Sequence, residues 1–209
     1  MLSSPLDSLL TAADQTLRTL FSPARSSRWP DLPPDDPGLT PGERRHAASL
    51  MRVNHAGEIA AQGLYRGQAA MSRDPAVQEF LERSAREEAD HLAWCEARLQ
   101  ELGSRPSRLN VFWYLGSFGL GAAAALFGDA VSLGFVNETE AQVEGHLGTH
   151  LDRLPATDRR SRRIVEVMKN EEAGHAEAAR ARGATLLPPP IPRLMRAAAR
   201  VMTGTAYWL

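Results

Sequence analysis

The chain has 209 residues, enough for one fully packed domain with short appendages. Its 43 % hydrophobic and 23 % charged residues exclude wholesale disorder. Its 24 Lys and Arg against 25 Asp and Glu give a net charge of −1, which leaves no electrostatic footprint for nucleic acid. A single cysteine, Cys95, excludes an internal disulfide and fits a reducing compartment; beside Trp94 on a helical pattern, it reads as an inert, partly buried thiol.

Met1 to Phe21 carries no early basic cluster, and Asp7 and Asp14 interrupt its apolar pattern, so no signal peptide is expected. Residues 4–21 instead predict an amphipathic helix. Ser4 is placed to cap it, Pro5 suits its first position, and Leu6, Leu9, Leu10, Ala13, Leu17, Leu20 and Phe21 recur at helical spacing. Pro30, Pro33, Pro34, Pro37 and Pro41 mark a linker, so 1–39 is expected to form an N-terminal appendage. Thr40-Pro41-Gly42-Glu43 is a capping-box start and opens the main unit, 40–185. A long helix runs to about Met71, Asp74-Pro75 starts another to about Leu102, and Gly103 and Pro106 end it. Residues 109–136 are rich in Gly, Ala, Phe and Leu, with Asp129 the only charge. A helix through Glu140 runs to about Leu154, Pro155 breaks it, and a fourth spans about Thr157 to Arg182 with Gly183 as its cap. The segment 186–209 is basic and amphipathic, with Arg193, Arg196 and Arg200 beside Leu194, Met195, Val201 and Met202, and is expected to pack on the bundle or a membrane. No strand alternation occurs, so the class is all-α.

The chain repeats itself. Glu58 precedes Glu88-x-x-His91 by 30 positions and Glu140 precedes Glu172-x-x-His175 by 32, which predicts two similar helical hairpins with the marked residues level. Residues at i and i+3 share a helix face, so each Glu-x-x-His aims a carboxylate and an imidazole inward together. Two such pairs with a glutamate from each of the other two helices make the ligand set of a ferritin-like di-iron four-helix bundle. Four glutamates balance two ferrous ions, and the oxygen-rich set favours Fe or Mn over Zn or Cu(I). The faces agree: Leu81, Ser84, Glu88, His91 and Cys95 form one stripe, and Ile164, Met168, Glu172 and His175 another. Glu43-x-x-His46 also fits the short motif, but Glu43 would lie about 22 Å along the helix from Glu58 and cannot join. Glu138 and Glu144 read as solvated acids, and His55, His146 and His150 as surface or outer groups, with His146 a possible substrate contact.

Residues 109–128 form an uncharged run nominally long enough to span a bilayer. A crossover between the second and third bundle helices, joined to the buried start of the third, accounts for most of it. Its aromatic part, Phe112, Trp113, Tyr114 and Phe118 with Leu120, is expected to face a membrane interface, so peripheral association is predicted rather than a span.

The run Met51-Arg-Val-Asn-His-Ala-Gly-Glu58, with Glu88-Ala-Asp-His91 and Glu172-Ala-Gly-His175, closely resembles the demethoxyubiquinone hydroxylase family of ubiquinone biosynthesis over about residues 45–209. The resemblance implies a di-iron monooxygenase, peripheral on the cytoplasmic face of the cell membrane. It would hydroxylate the ring of a polyprenylated demethoxyubiquinol with O2 and NADH-derived electrons, and a lipid-delivering helper or biosynthetic complex would be its partner. It also implies Glu58 and Glu140 as terminal ligands, Glu88 and Glu172 as bridges, and His91 and His175 capping one iron each. Some relatives place a Tyr after the histidine matching His146; here that position is Leu147, which leaves tyrosine-assisted electron transfer without its residue. No nucleotide-binding glycine motif is present, so NADH would act through the quinone or a separate reductase. The competing readings are an iron-oxidising ferritin or rubrerythrin relative and a non-enzymatic membrane-surface module. One Cys cannot build the four-cysteine module of a rubrerythrin.

Overall fold

The computed structural model describes residues 5–34 and 38–209, with side chains described from Ala13 onward. The expected Ser4 cap, the side chains of Leu6, Leu9 and Leu10, and Pro37 of the linker lie outside the described residues. The helices are α1 (Pro5–Phe21), α2 (Pro41–Met71), α3 (Pro75–Glu101), α4 (Asn110–Leu126), α5 (Asp129–Arg153), α6 (Arg159–Ala181) and α7 (Pro190–Trp208), and no strand occurs among the described residues.

Local chemistry sets the helix ends. Thr40 and Glu43 cap α2 reciprocally: the Glu43 amide donates to Thr40 Oγ1 at 3.2 Å and the Thr40 amide to Glu43 Oε2 at 2.9 Å. Asp74 accepts the Ala76 amide at the start of α3, and Asp158 accepts the Ser161 amide at the start of α6. Asp158 is fully buried and also takes Arg98 Nη2 at 2.7 Å, which ties α3 to α6.

Two short turns make antiparallel hairpins of α2 with α3 and of α5 with α6, and together they form a four-helix bundle. The connection between the second and third bundle helices must recross the bundle. It does so as a complete helix, α4, lying parallel to α2: Gly63 meets Tyr114 and Gly67 meets Phe118. This is the ferritin-like topology with one long crossover. At Gly67 an added Cβ would fall on the Phe118 carbonyl, and at Gly121 on the Leu64 carbonyl, so glycine lets the two backbones touch. At the end of α4, Gly128 turns the chain into α5 with φ +107°, a conformation glycine adopts freely. Asp129 then accepts bonds from Ser72 Oγ and the Asp74 amide, which pins the start of α5 to the α2–α3 turn.

Two apolar layers fill the bundle. One gathers Leu50, Met51, Trp94, Cys95, Leu99, Leu147, Ile164, Val165 and Met168; the other gathers Tyr65, Phe80, Leu81, Leu133, Val136 and Ala179. Outside them α7 crosses the first half of α2, where Ala206 packs on Val53 and Ala56, and α1 meets α2 through Thr19 and Gln62 at 3.0 Å.

One expectation needs correction. The aromatic run does not present one exposed face. Helical periodicity turns Tyr114 inward against α2, where it is fully buried with its hydroxyl 3.1 Å from Thr16 Oγ1; Trp113 and Phe118 are half-buried, and Phe112 is 70 % exposed. The proline-rich linker, which continues no helix, packs against the bundle. Residues 22–34 lie along α3 and α6 as a strap: the Ala24 amide donates to Glu96, the Ser27 amide to Asp90, and Arg160 to the Pro33 carbonyl. No helix among the described residues is long and apolar enough to cross a membrane.

Candidate metal centre

Each of the four marked glutamates holds a place that an apolar residue would otherwise take. Seven residues before and after Glu58 stand Met51 and Tyr65; about Glu88, Leu81 and Cys95; about Glu140, Leu133 and Leu147; about Glu172, Val165 and Ala179. All eight neighbours are buried. The seven-residue seam that builds the core therefore carries the carboxylates to its middle, between the two apolar layers. One turn onward, His91 and His175 follow Glu88 and Glu172 on the same faces.

The six side chains converge. His91 Nδ1 lies 3.0 Å from Glu88 Oε2, 3.2 Å from Glu172 Oε1 and 3.8 Å from Glu58 Oε2. His175 Nδ1 lies 3.1 Å from Glu88 Oε1 and 3.4 Å from Glu172 Oε2. Two donor groups result, each with its atoms within 4.8 Å of one another: Glu58, Glu88, His91 and Glu172, and Glu88, Glu140, Glu172 and His175. Glu88 and Glu172 belong to both, each turning one oxygen towards either histidine. Several of these atoms (Glu88 Oε1, Glu140 Oε1, Glu172 Oε2 and His175 Nδ1) are buried without an aligned hydrogen bond. Buried polar atoms left so are costly, and atoms that converge without bonding one another suit a cation between them. Carboxylates with two imidazoles and no thiolate fit two hard or borderline divalent ions.

The buried acids and imidazoles shift one another's proton affinity. Burial holds the Glu58 carboxyl well above the usual range, and the nearby His91 offsets this only in part. Burial and the charge of Glu172 do the same to Glu140. Burial also opposes ionisation of Glu88 and Glu172, but the two imidazoles beside them outweigh it and hold both low. The histidines respond in kind: burial would lower His175, yet Glu172 and Glu88 push it up to about 12, and His91 is likewise held high.

Two further acids complete the centre. His91 Nε2 meets Glu171 Oε2 at 2.7 Å, and His175 Nε2 meets Glu87 Oε2 at 3.0 Å. Each histidine is thus held by the acid that precedes the shared glutamate of the opposite hairpin, which leaves both Nδ1 atoms towards the cluster. Sequence reasoning passed over Glu87 and Glu171, although the doubled acid in Glu87-Glu88 and Glu171-Glu172 is itself part of the repeat. Burial would raise Glu171, but Arg28 and His91 hold it down to about 2.

The remaining candidates fall elsewhere. Glu43 is the helix cap already described, and His46 bonds Tyr207 Oη and the Arg153 carbonyl. Glu138 pairs with Arg196 at 3.1 Å and Glu144 with Lys169 at 3.5 Å, as solvated acids do. His55 and His150 are buried, not on the surface; burial lowers them to about 4 and about 3. The His146 ring packs 4.1 Å from that of His150, outside both donor groups. Cys95 is fully rather than partly buried, and burial raises its thiol well above the ordinary value. A cavity of about 710 Å³ opens near the start of α2, lined by Arg44, His46, Arg52, Tyr207 and Trp208 among others, and holds none of the six donors.

Comparison with known proteins adds a family and relatives. The family described as ubiquinone biosynthesis protein COQ7 matches residues 45–206. Relatives named 3-demethoxyubiquinol 3-hydroxylase align along almost the whole chain. That of Bordetella parapertussis is 55 % identical over 209 residues, covering 99 % of this chain and 94 % of the relative. That of Variovorax paradoxus is 55 % identical over 207 residues, covering 99 % of both. That of Xanthomonas campestris pv. campestris is 54 % identical over 207 residues, covering 99 % and 95 %.

Proposed function

Because the chain belongs to the family of ubiquinone biosynthesis protein COQ7, we propose that it is a 3-demethoxyubiquinol 3-hydroxylase, a di-iron monooxygenase acting on a polyprenylated quinol with O2 and NADH-derived electrons. The single observation that carries the metal part is the convergence of six buried donors in two groups that share Glu88 and Glu172. That sharing supports Glu88 and Glu172 as bridges, Glu58 and Glu140 as terminal ligands, and His91 and His175 as one ligand to each iron.

Two ferrous ions held there would supply the redox chemistry that activates O2 for insertion of one oxygen atom into the ring. The chain's own residues do the rest. Glu171 and Glu87 fix the imidazoles from behind, and the apolar layers above and below keep bulk water from the carboxylates. Glu58 and Glu140, whose carboxyls burial holds above their ordinary range, would have to be ionised to hold the ions.

For the substrate, a long isoprenoid tail gains about 0.8 kcal/mol for each CH2 it buries, so the reading places the enzyme against a membrane, on its cytoplasmic face. Exposed Phe112, Leu115, Leu120 and Phe127 on and after α4, with Leu194, Val201 and Trp208 on α7, supply an apolar surface for that contact, and Arg193 and Arg200 supply basic charge.

The deciding experiment incubates iron-loaded protein with a short-tailed demethoxyubiquinol, NADH and O2, and looks for the hydroxylated ring. Iron oxidation without ring hydroxylation, even with a reductase supplied, would overturn the assignment in favour of an iron-oxidising protein.

A further inference from the structure

The strap 22–34 lies outside the residues matched by the family, yet it reaches the centre. Asp90, buried on α3, anchors it: Asp90 accepts bonds from Ser26 Oγ at 2.9 Å, the Ser27 amide at 2.7 Å and Arg28 Nε at 3.2 Å. Trp94 Nε1 donates to the Arg28 carbonyl at 2.8 Å, and the guanidinium lies 5.0 Å from the Trp94 ring centre. Held from these sides, the free nitrogens of Arg28 cross to α6. There they grip both oxygens of Glu171, at 2.6 and 2.5 Å, and Glu171 Oε2 in turn takes His91 Nε2 at 2.7 Å. A bidentate guanidinium–carboxylate pair fixes orientation as well as charge.

Among the described residues, the other half of the repeat has no such clamp. Glu87 takes His175 Nε2 at 3.0 Å, but the cation beside it is Arg83 of its own helix, at 3.9 Å and 45 % exposed. An exposed pair of that length constrains little. His91 is fully enclosed, while the His175 side chain keeps 14 % of its surface open.

We propose that the strap makes the two metal positions unequal: Arg28 and Glu171 are positioning residues that lock the His91 imidazole, so the ion beside His91 is retained longer than the ion beside His175. The inference rests on the di-iron reading above. An imidazole whose carboxylate partner is itself clamped is held more firmly against swinging away from an ion than one whose partner is free to move, and loss of such a partner weakens metal binding by about 10- to 100-fold.

The test loads the full chain anaerobically with two equivalents of ferrous iron and follows its release to a ferrous chelator. Wild type releases iron in two phases of similar amplitude. Arg28→Gln and Glu171→Ala each speed the slow phase about tenfold or more and leave the fast phase unchanged. Glu87→Ala speeds the fast phase instead, and Arg28→Lys restores part of the slow phase. Glu171→Ala leaves the bonds from the strap to Asp90 and Trp94 intact, so it carries the test alone if Arg28→Gln unsettles the fold. Two irons bound with one-phase release from wild type, or with a slow phase untouched by Glu171→Ala, overturn the inference and leave the di-iron reading standing. A folded wild type that takes up no iron overturns both.

Discussion

Burial raises the Glu58 and Glu140 carboxyls well above their ordinary range and so favours their protonated form, and the surrounding carboxylates raise His91 and His175 in the same direction. Ligation demands the opposite state of all four groups. Each proton that leaves on binding is a product of the binding equilibrium, so lowering its concentration favours the metal-bound form. Metal affinity is therefore expected to rise with pH, by more than about tenfold per unit between pH 6 and 8, because more than one proton is displaced. Quenching of Trp94, whose ring lies 5.1 Å from His91, would follow an iron titration at each pH; an affinity that stays flat would contradict the account. At this scale the inner donors were legible in the sequence, because i, i+3 spacing fixes a shared helix face wherever the helix goes. Glu87 and Glu171 are different: they point across to the opposite hairpin, and contact between hairpins depends on packing rather than spacing. Arg28 was less legible still, since an extended proline-rich segment has no period from which a facing side chain can be inferred.

The contact between α2 and α4 shows how far an element can be read. The sequence predicts α2 as a helix but reads 109–128 only as a crossover joined to the start of the next helix; a stretch of Gly and Ala offers little contrast between faces, so neither α4 as a separate helix nor the inward turn of Tyr114 follows from pattern. The glycines themselves carry the geometry. An alanine at position 67 would drive its Cβ into the Phe118 carbonyl and to 2.9 Å from the Ala122 amide nitrogen, both backbone atoms that cannot rotate aside. Gly67→Ala is expected to destabilise by about 1–3 kcal/mol through overpacking, which lowers the melting temperature by several degrees. Gly116, also on α4, has nothing within 4 Å of an added Cβ, so Gly116→Ala serves as the control and should match or exceed wild type through helix propensity. Equal melting of wild type and Gly67→Ala would mean that α4 can lift from α2 without loss.

Across the whole molecule, exposed apolar side chains gather on the helices that flank α2: Leu17 and Phe21 on α1, Phe112, Leu115 and Leu120 on α4, and Leu194, Val201 and Trp208 on α7. The four-helix plan was readable from the repeat alone; this distribution was not, because it depends on how three peripheral helices settle on one neighbour. If it forms the membrane-facing side, Phe112→Asp with Phe127→Asp, both exposed and outside the packed core, should abolish flotation with anionic liposomes and leave the melting temperature within about a degree or two, as surface changes do. Flotation equal to wild type would remove these residues from the contact.

Glu58, Glu88, Glu140 and Glu172 each stand between buried apolar side chains seven residues away on either side, so they form a polar belt between the two apolar layers. That belt adds carboxylates and imidazoles but no apolar contact, so the waist of the bundle coheres less without an ion between them. An ion held there more tightly by the folded chain than by the unfolded one would stabilise the fold by mass action, the more so the further its concentration exceeds its Kd. Iron supply would then govern the lifetime of the fold as well as the number of active sites: under iron limitation the chain would become a softer target for proteolysis, and its abundance would follow the metal.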